Sequence, residues 1–289
     1  MNGLVPVLQA YDVLGEVPIW CQRRRRLIWS DVRTCQLRTF DPETGQLESA
    51  LMPDWIGSLA LTADDRLLLA SRKSLLVYDP SRASFETRAV FEADQPVNRS
   101  NDGRADRTGR FWFGTLNNAD RIPTGHLYCF EGGVVRHEES GIIVPNALAW
   151  SPDGRTMYFA DSWVGELWAY DYDPDTGARS NRRVLLGKET LPGIPDGATV
   201  DCEGGIWHAR YGAGLVVRVT PDGRVDQVLE TGVKQVTACA LGGADLRDLY
   251  VTSARQRMSA AELEALPDTG ALFHARVSVP GLPEPLAKI

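Results

Sequence analysis

VNRSNDGRADRTGRFWFGTL, residues Val97 to Leu116, carries the pattern from which the chain is built. Polar residues Arg99, Asn101 and Asp102 open it, a turn at Thr108-Gly109 follows, and an apolar β-type run extends from Phe111 to Gly114. Runs of the same kind recur as LIWSD from Leu27, LLLAS from Leu67, MYFAD from Met157, IWHAR from Ile206 and LYVTS from Leu249. With FWFGT from Phe111 they make six, and successive starts lie 40, 44, 46, 49 and 43 residues apart. That period is too long for ankyrin or leucine-rich repeats and matches a four-stranded propeller blade. The expected fold is therefore all-β, a six-bladed β-propeller.

Six such units account for nearly all of the 289 residues, so the chain is expected to be one domain, 1–289. Within a unit, an inner strand is followed by the apolar strand and then by one or two alternating strands. In the first unit these are Val17 to Trp20, Leu27 to Asp31, Gln36 to Phe40 and Leu47 to Leu51. Turn sequences such as Asp41-Pro42-Glu43-Thr44-Gly45 and Ser151-Pro152-Asp153-Gly154 place glycine where a positive φ is needed. The sixth unit lacks an outer strand, because Pro280, Pro283 and Pro285 exclude a central strand beyond Ala271 to Val279. Leu4 to Asp12 belongs to no other unit and is assigned to complete that blade, closing the ring with the N-terminus. One helix is expected, at the capping-box pattern Ser259-Ala260-Ala261-Glu262.

Composition excludes some partners. A formal net charge of -7 disfavours nucleic acid, whose binders need a basic face. The basic run Arg23 to Arg26 lies between two strand-like runs and reads as a solvated hairpin turn. No stretch approaches the ~18 apolar residues of a membrane span, and the N-terminus lacks the features of a signal peptide. Cys21, Cys35, Cys129, Cys202 and Cys239 form no CxxC pair and read as reduced packing residues. A soluble cytoplasmic protein, a monomer or weak oligomer, is the expectation.

Inner strands of a propeller surround one channel, so residues at equivalent repeat positions converge at one end of it. Counting back ten or eleven residues from the apolar runs gives Glu16, Ile56 or Gly57, Asn101, Asn146 and Asp196, with Thr237 twelve back in the sixth unit. Small residues follow most of these positions (Ser58, Gly103, Ala147, Gly197, Ala238), as crowding near an axis requires. An oxygen-rich ring without His or Cys suits a hard divalent cation, Ca²⁺ before Mg²⁺ or Mn²⁺. The alternative is that these residues merely line a wet channel and cap strand amides.

The motifs LGEVPIW, NRSNDG with DRTGRFWFGT, VPNALAWSPDG with MYFADS, SNRRV, and IPDGATVD with GIW resemble those of the gluconolactonase family, also called the senescence marker protein or regucalcin family. The resemblance spans Leu14 to about Gly270. It implies a six-bladed propeller that uses one divalent cation, Ca²⁺ first and Mg²⁺, Mn²⁺, Zn²⁺ or Fe²⁺ as options, to hydrolyse small-molecule sugar lactones. By motif, it makes Glu16, Asn146 and Asp196 metal ligands, Asp196 also the general base, and Arg99 and Asn101 the residues that bind substrate. The sequence departs from the family at Leu116-Asn117-Asn118-Ala119-Asp120, a candidate lid, and at His208, which could reach the pocket as an extra acid or base. Trp55 and Tyr211 could stack on a sugar ring. Two other readings remain open: a non-catalytic calcium-binding regulatory propeller, and an esterase or phosphotriesterase using the same site.

Overall fold

The structure, a computed structural model, describes residues 3–289. Its apolar runs all lie on the second strand of a sheet: Arg26–Asp31, Leu67–Ala70, Phe111–Asn117, Thr156–Asp161, Ile206–Tyr211 and Asp248–Ser253. These strands lack polar alternation because both of their faces are buried. In the third blade Phe111 and Phe113 point toward the second blade, while Trp112 points toward the fourth. In the fifth, Ile206 faces the fourth blade and Trp207 the sixth. Six apolar clusters result, one at each blade–blade interface, and together they hold the ring. Each large side chain buried there contributes about 1.5 to 3 kcal/mol.

The six inner strands are Gly15–Cys21, Ser58–Thr62, Asn98–Ala105, Pro145–Trp150, Ile194–Val200 and Val236–Gly242. Each touches the next and the last touches the first, which closes the propeller. Closure depends on the N-terminus, since Val5–Leu8 pairs antiparallel with Leu272–Arg276 as the outer strand of the sixth blade. Around the axis the crowding is severe. A Cβ on Gly197 would lie 2.4 Å from the Ala238 Cβ, and one on Gly103 would lie 2.5 Å from the Trp112 carbonyl oxygen. The helix occurs at Ala260–Ala265, with Ser259 and Glu262 forming the capping box. No helix among the described residues is long and apolar enough to cross a membrane.

The C-terminal tail takes a course that its prolines do not disclose. They exclude a strand only as far as Pro285; beyond it Leu286–Ala287 pairs parallel with the inner strand of the second blade at Leu61 and Thr62. The tail thus crosses the channel at the end where the inner strands finish. Gly281 bridges to Asp201, and the Lys288 amide donates to the Gly109 carbonyl at 2.9 Å. Glu284 anchors it by accepting two hydrogen bonds from Arg104, Nε to Oε1 at 2.7 Å and Nη2 to Oε2 at 2.9 Å. Arg104 also donates Nη1 to the Ala198 carbonyl at 2.5 Å, tying the tail to the fifth blade.

Both members of this ion pair are close to nine-tenths buried, so removing one strands the other's charge. Glu284→Ala is expected to cost about 3 to 5 kcal/mol in urea unfolding, the range for breaking a buried pair. A loss below ~1 kcal/mol, the value of an exposed pair, would show that the plug does not hold the channel end.

Candidate functional site

At the opposite end, where the inner strands begin, the backbone departs from regular β geometry at matching places. Register shifts occur between Glu16 and Ile19, Asn101 and Gly103, Asn146 and Ala149, Pro195 and Ala198, and Val236 and Ala238. The inner strand of the second blade pairs without a shift, and it is the blade with Ile56 and Gly57 where the others have a polar residue. A bulge re-aims a side chain that a flat ladder would keep on one face. Directly after three of the polar residues the chain takes a positive φ, 47° at Val17, 22° at Asp102 and 56° at Ala147. For residues with a Cβ this is strained, so surrounding contacts must hold it.

Two clamps supply such contacts. The Asp31 carboxylate, on the second strand of the first blade, accepts from the Val13 and Leu14 amides at 3.1 and 3.0 Å. Asp161 repeats this in the fourth blade, accepting from Ile143 at 2.8 Å and Val144 at 3.1 Å. Each clamp fixes the two amides that lie three and two residues before a sequence-predicted ligand, Glu16 or Asn146.

The bulges converge on a pocket of about 90 Å³ lined by Glu16, Arg99, Asn101, Asn146 and Asp196, all five buried, with Tyr211 beside them. All five sequence-predicted site residues are therefore brought together. A hydrogen-bond chain crosses three blades. Arg99 Nη1 donates to Asn101 Oδ1 at 2.9 Å; Asn101 Nδ2 donates to the Pro145 carbonyl at 2.9 Å and to Asn146 Oδ1 at 3.2 Å. Asn146 Nδ2 donates to Ser162 Oγ at 2.7 Å, and that hydroxyl donates to the Pro195 carbonyl at 2.6 Å, one residue from Asp196. The chain fixes the Asn146 amide and leaves Arg99 Nη2 without a protein acceptor among the described residues.

A third carboxylate, Asp102, was quoted in the sequence motif but given no role there. It is buried and accepts from the Gly103 amide at 2.9 Å and the Leu148 amide at 3.0 Å. Burial and then the Asp102 charge push Glu16 up to about 8. Burial, then Glu16 and Asp102, hold Asp196 well above the usual carboxylate range. Glu16 and Asp196 have no salt-bridge partner among the described residues, and the guanidinium nearest in effect, Arg99, directs Nε and Nη1 to Asn118, Asn101 and the Ser100 carbonyl.

Counting only His, Cys, Asp and Glu, the described residues contain no three-membered cluster able to hold a metal. A third oxygen donor for a cation would have to come from a carboxamide such as Asn146, and an all-oxygen set of that kind suits a hard cation. Two buried carboxylates that lack a counter-charge fit such an ion.

The remaining sequence candidates separate. His208 is fully buried outside the pocket, its Nδ1 3.3 Å from the Ala209 carbonyl oxygen, and burial followed by the Arg210 charge pushes it down to about 3. It is a neutral packing residue. Trp55 packs against two guanidinium groups, Arg33 at 4.5 Å and Arg72 at 5.2 Å from its ring centre. The loop after Leu116 is pinned: Asn117 Oδ1 accepts from the Ala119 and Asp120 amides at 3.0 and 2.9 Å, and Asn118 Oδ1 accepts from Arg99 Nε at 3.2 Å.

Comparison with known proteins shows what this arrangement is similar to. The model of the SMP-30/gluconolactonase/LRE-like region matches residues 14–255. A 6-deoxy-6-sulfogluconolactonase of Pseudomonas putida is 35% identical over 282 residues, covering 97% of both chains. Regucalcin of Xenopus laevis is 33% identical over 275 residues, covering 92% of this chain and 91% of its own. The crystal structure of a calcium-binding protein, regucalcin, from Agrobacterium tumefaciens superposes with a TM-score of 0.95 at 32% identity, covering 99% of this chain and 97% of the other.

The buried carboxylates predict a pH signature in chelator. Glu16 holds its proton to about pH 8 in the folded protein and has an ordinary value of 4.5. Across that window the folded state binds more protons than the unfolded one, so stability falls as pH rises through it. A cation bound there would take the proton's place and oppose the fall. In chelator, the thermal midpoint is expected to drop between about pH 5 and pH 8, and added Ca²⁺ to raise it more at the higher pH. A midpoint at pH 8 that ignores Ca²⁺, Mg²⁺ and Mn²⁺ alike would contradict a cation site.

Proposed function

The chain belongs to the SMP-30/gluconolactonase/LRE-like family, and from that premise we propose that it hydrolyses a sugar lactone to the free aldonic acid. The observation that carries this reading is the convergence of Glu16, Asn146 and Asp196, from three blades, on one small pocket beside Arg99 and Asn101. In the proposal the first three hold one divalent cation, Ca²⁺ by preference, through oxygen. When bound, such an ion polarises a carbonyl and stabilises developing negative charge.

The chain's own groups do the rest. Asp196 takes the proton of the attacking water and returns it to the ring oxygen as the ester opens, so that lactone and water become one hydroxy acid. Its place at the pocket floor beside the bound ester, with a carboxylate oxygen to spare from the cation, suits it to receive the water's proton. Arg99, through its free Nη2, and Asn101, through the remaining lone pair on Oδ1, hold the lactone hydroxyls. Asn101 at the same time holds the Asn146 amide in place. The clamped loops keep these groups in register and leave little to reorganise during reaction. The five unpaired cysteines suit a reducing compartment, so we place the reaction in the cytoplasm.

The Agrobacterium relative is a calcium-binding protein, which keeps a non-catalytic role in view, and turnover decides between the two. Purified protein assayed with a pH indicator against γ- and δ-lactones is expected to release acid with a divalent cation present and to stop in excess chelator. Asp196→Asn keeps an oxygen donor of similar shape but not the base, so kcat should fall by roughly 10² or more at saturating metal. Turnover near that of the unmodified protein would remove Asp196 from that role. Arg99→Ala should lower kcat/KM for hydroxylated lactones by roughly ten- to a hundredfold, from about 1 to 3 kcal/mol of lost hydrogen bonding. An equal loss on lactones without hydroxyls would contradict the assignment.

A further inference from the structure

The mouth of the pocket has a charge that the rest of the molecule does not explain. Although the chain carries a net charge of -7, arginines gather at this one opening. Arg121 and Arg257 line the pocket itself, together with Glu16, Asp196 and the buried Arg99. Arg33 and Arg72 both pack on the Trp55 ring, and Arg121 lies 5.7 Å from the ring centre of Trp163, an exposed tryptophan that also lines the pocket. Several arginines on the blade flanks, by contrast, are neutralised by carboxylates. Arg218 meets Asp201 and Asp226, both at 2.6 Å, and Arg276 meets Asp245 at 2.7 Å. Arg33, Arg72, Arg121 and Arg257 have no salt-bridge partner among the described residues.

Gathering like charges without partners is unfavourable, and the guanidinium groups respond to one another. Burial, then the Arg257 charge, pull Arg33 down, and the same two causes act first on Arg121. A neutral sugar hydroxyl does not offset that repulsion, and Asn or Gln would bind it without incurring the cost. An oxyanion does offset it, because guanidinium forks match the oxygens of phosphate, sulfonate and carboxylate. The pocket is thus polarised along its depth. Carboxylates at the floor suit the cation that faces the reacting ester, and guanidinium groups at the rim suit negative charge at the far end of the same molecule.

We propose that the preferred substrates are sugar lactones bearing an anionic substituent, a phosphate, sulfonate or carboxylate, at the carbon farthest from the ring ester, held by Arg121 and Arg257. The inference rests on the lactonase reading of the same site and specifies its substrate class. The substituent stays unchanged while the ester opens.

The test compares a six-carbon δ-lactone with its counterparts carrying phosphate, sulfonate or carboxylate at the terminal carbon, with cation present, at ~20 mM and ~300 mM salt. At least one anionic lactone should exceed the neutral one in kcat/KM by about tenfold or more at low salt. The advantage should shrink at high salt, as steering by partly exposed charge does. In the double variant Arg121→Gln, Arg257→Gln the anionic-to-neutral ratio should fall by about tenfold. Because the ratio is taken within one preparation, loss of folded protein cancels from it. Calorimetry with the anionic aldonic acids supplies a readout independent of turnover, and their binding should weaken in the same variant. Efficient hydrolysis of the neutral lactone with no anionic preference would overturn the inference and leave the lactonase reading intact. No hydrolysis of any lactone would overturn the reading beneath it.

Discussion

Three buried carboxylates, Glu16, Asp102 and Asp196, act on one another at the axis of the ring with no ammonium or guanidinium group paired to Glu16 or Asp196. Without a counter-ion, burial raises the proton affinity of all three, and the neighbouring carboxylates raise that of Glu16 and Asp196 further. The proposed cation relieves their repulsion and makes use of what the protons would hide, two basic oxygen donors beside a fixed carboxamide. Much of the surrounding architecture serves to hold these groups against their mutual repulsion. The Asp31 and Asp161 clamps, the left-handed residues after Glu16, Asn101 and Asn146, and the chain from Arg99 to Pro195 all limit movement away from the axis.

The propeller is suited to this because its cohesion lies elsewhere. Six apolar interfaces carry the ring, the N-terminal strand closes it, and the tail with the Arg104–Glu284 pair plugs the end away from the pocket. The pocket end is therefore relieved of packing duties, and strained backbone with unpaired charge is tolerated there. The blade that lacks a polar residue at the axis also lacks the bulge, which links the irregular backbone to the polar site and separates it from the repeat as such.

Much of this was legible in the chain. The recurrence of runs like FWFGT set the blade count, and equivalence within the repeat then turned distant residues such as Glu16 and Asp196 into neighbours. What escaped depends on departures from the repeat. Asp102 follows Asn101, and strict alternation would put it on the opposite face; only the bulge and a φ of 22° bring its charge to bear on Glu16. The tail escaped because its prolines argue against a strand, while the two residues that pair come after the last of them. The rim arginines lie in loops of different length, where repeat position says nothing of direction. His208, a plausible acid or base by type, points into packing, because its strand is buried on both faces.

The central claim, that Glu16, Asn146 and Asp196 share one cation, is tested most directly by crystals grown with Ca²⁺ or Mn²⁺ and examined by anomalous scattering. One peak is expected at the channel mouth, with an oxygen of each of the three side chains about 2.3 to 2.6 Å away for Ca²⁺. A well-ordered structure at saturating metal in which these oxygens all lie more than ~4 Å from any cation would contradict the account.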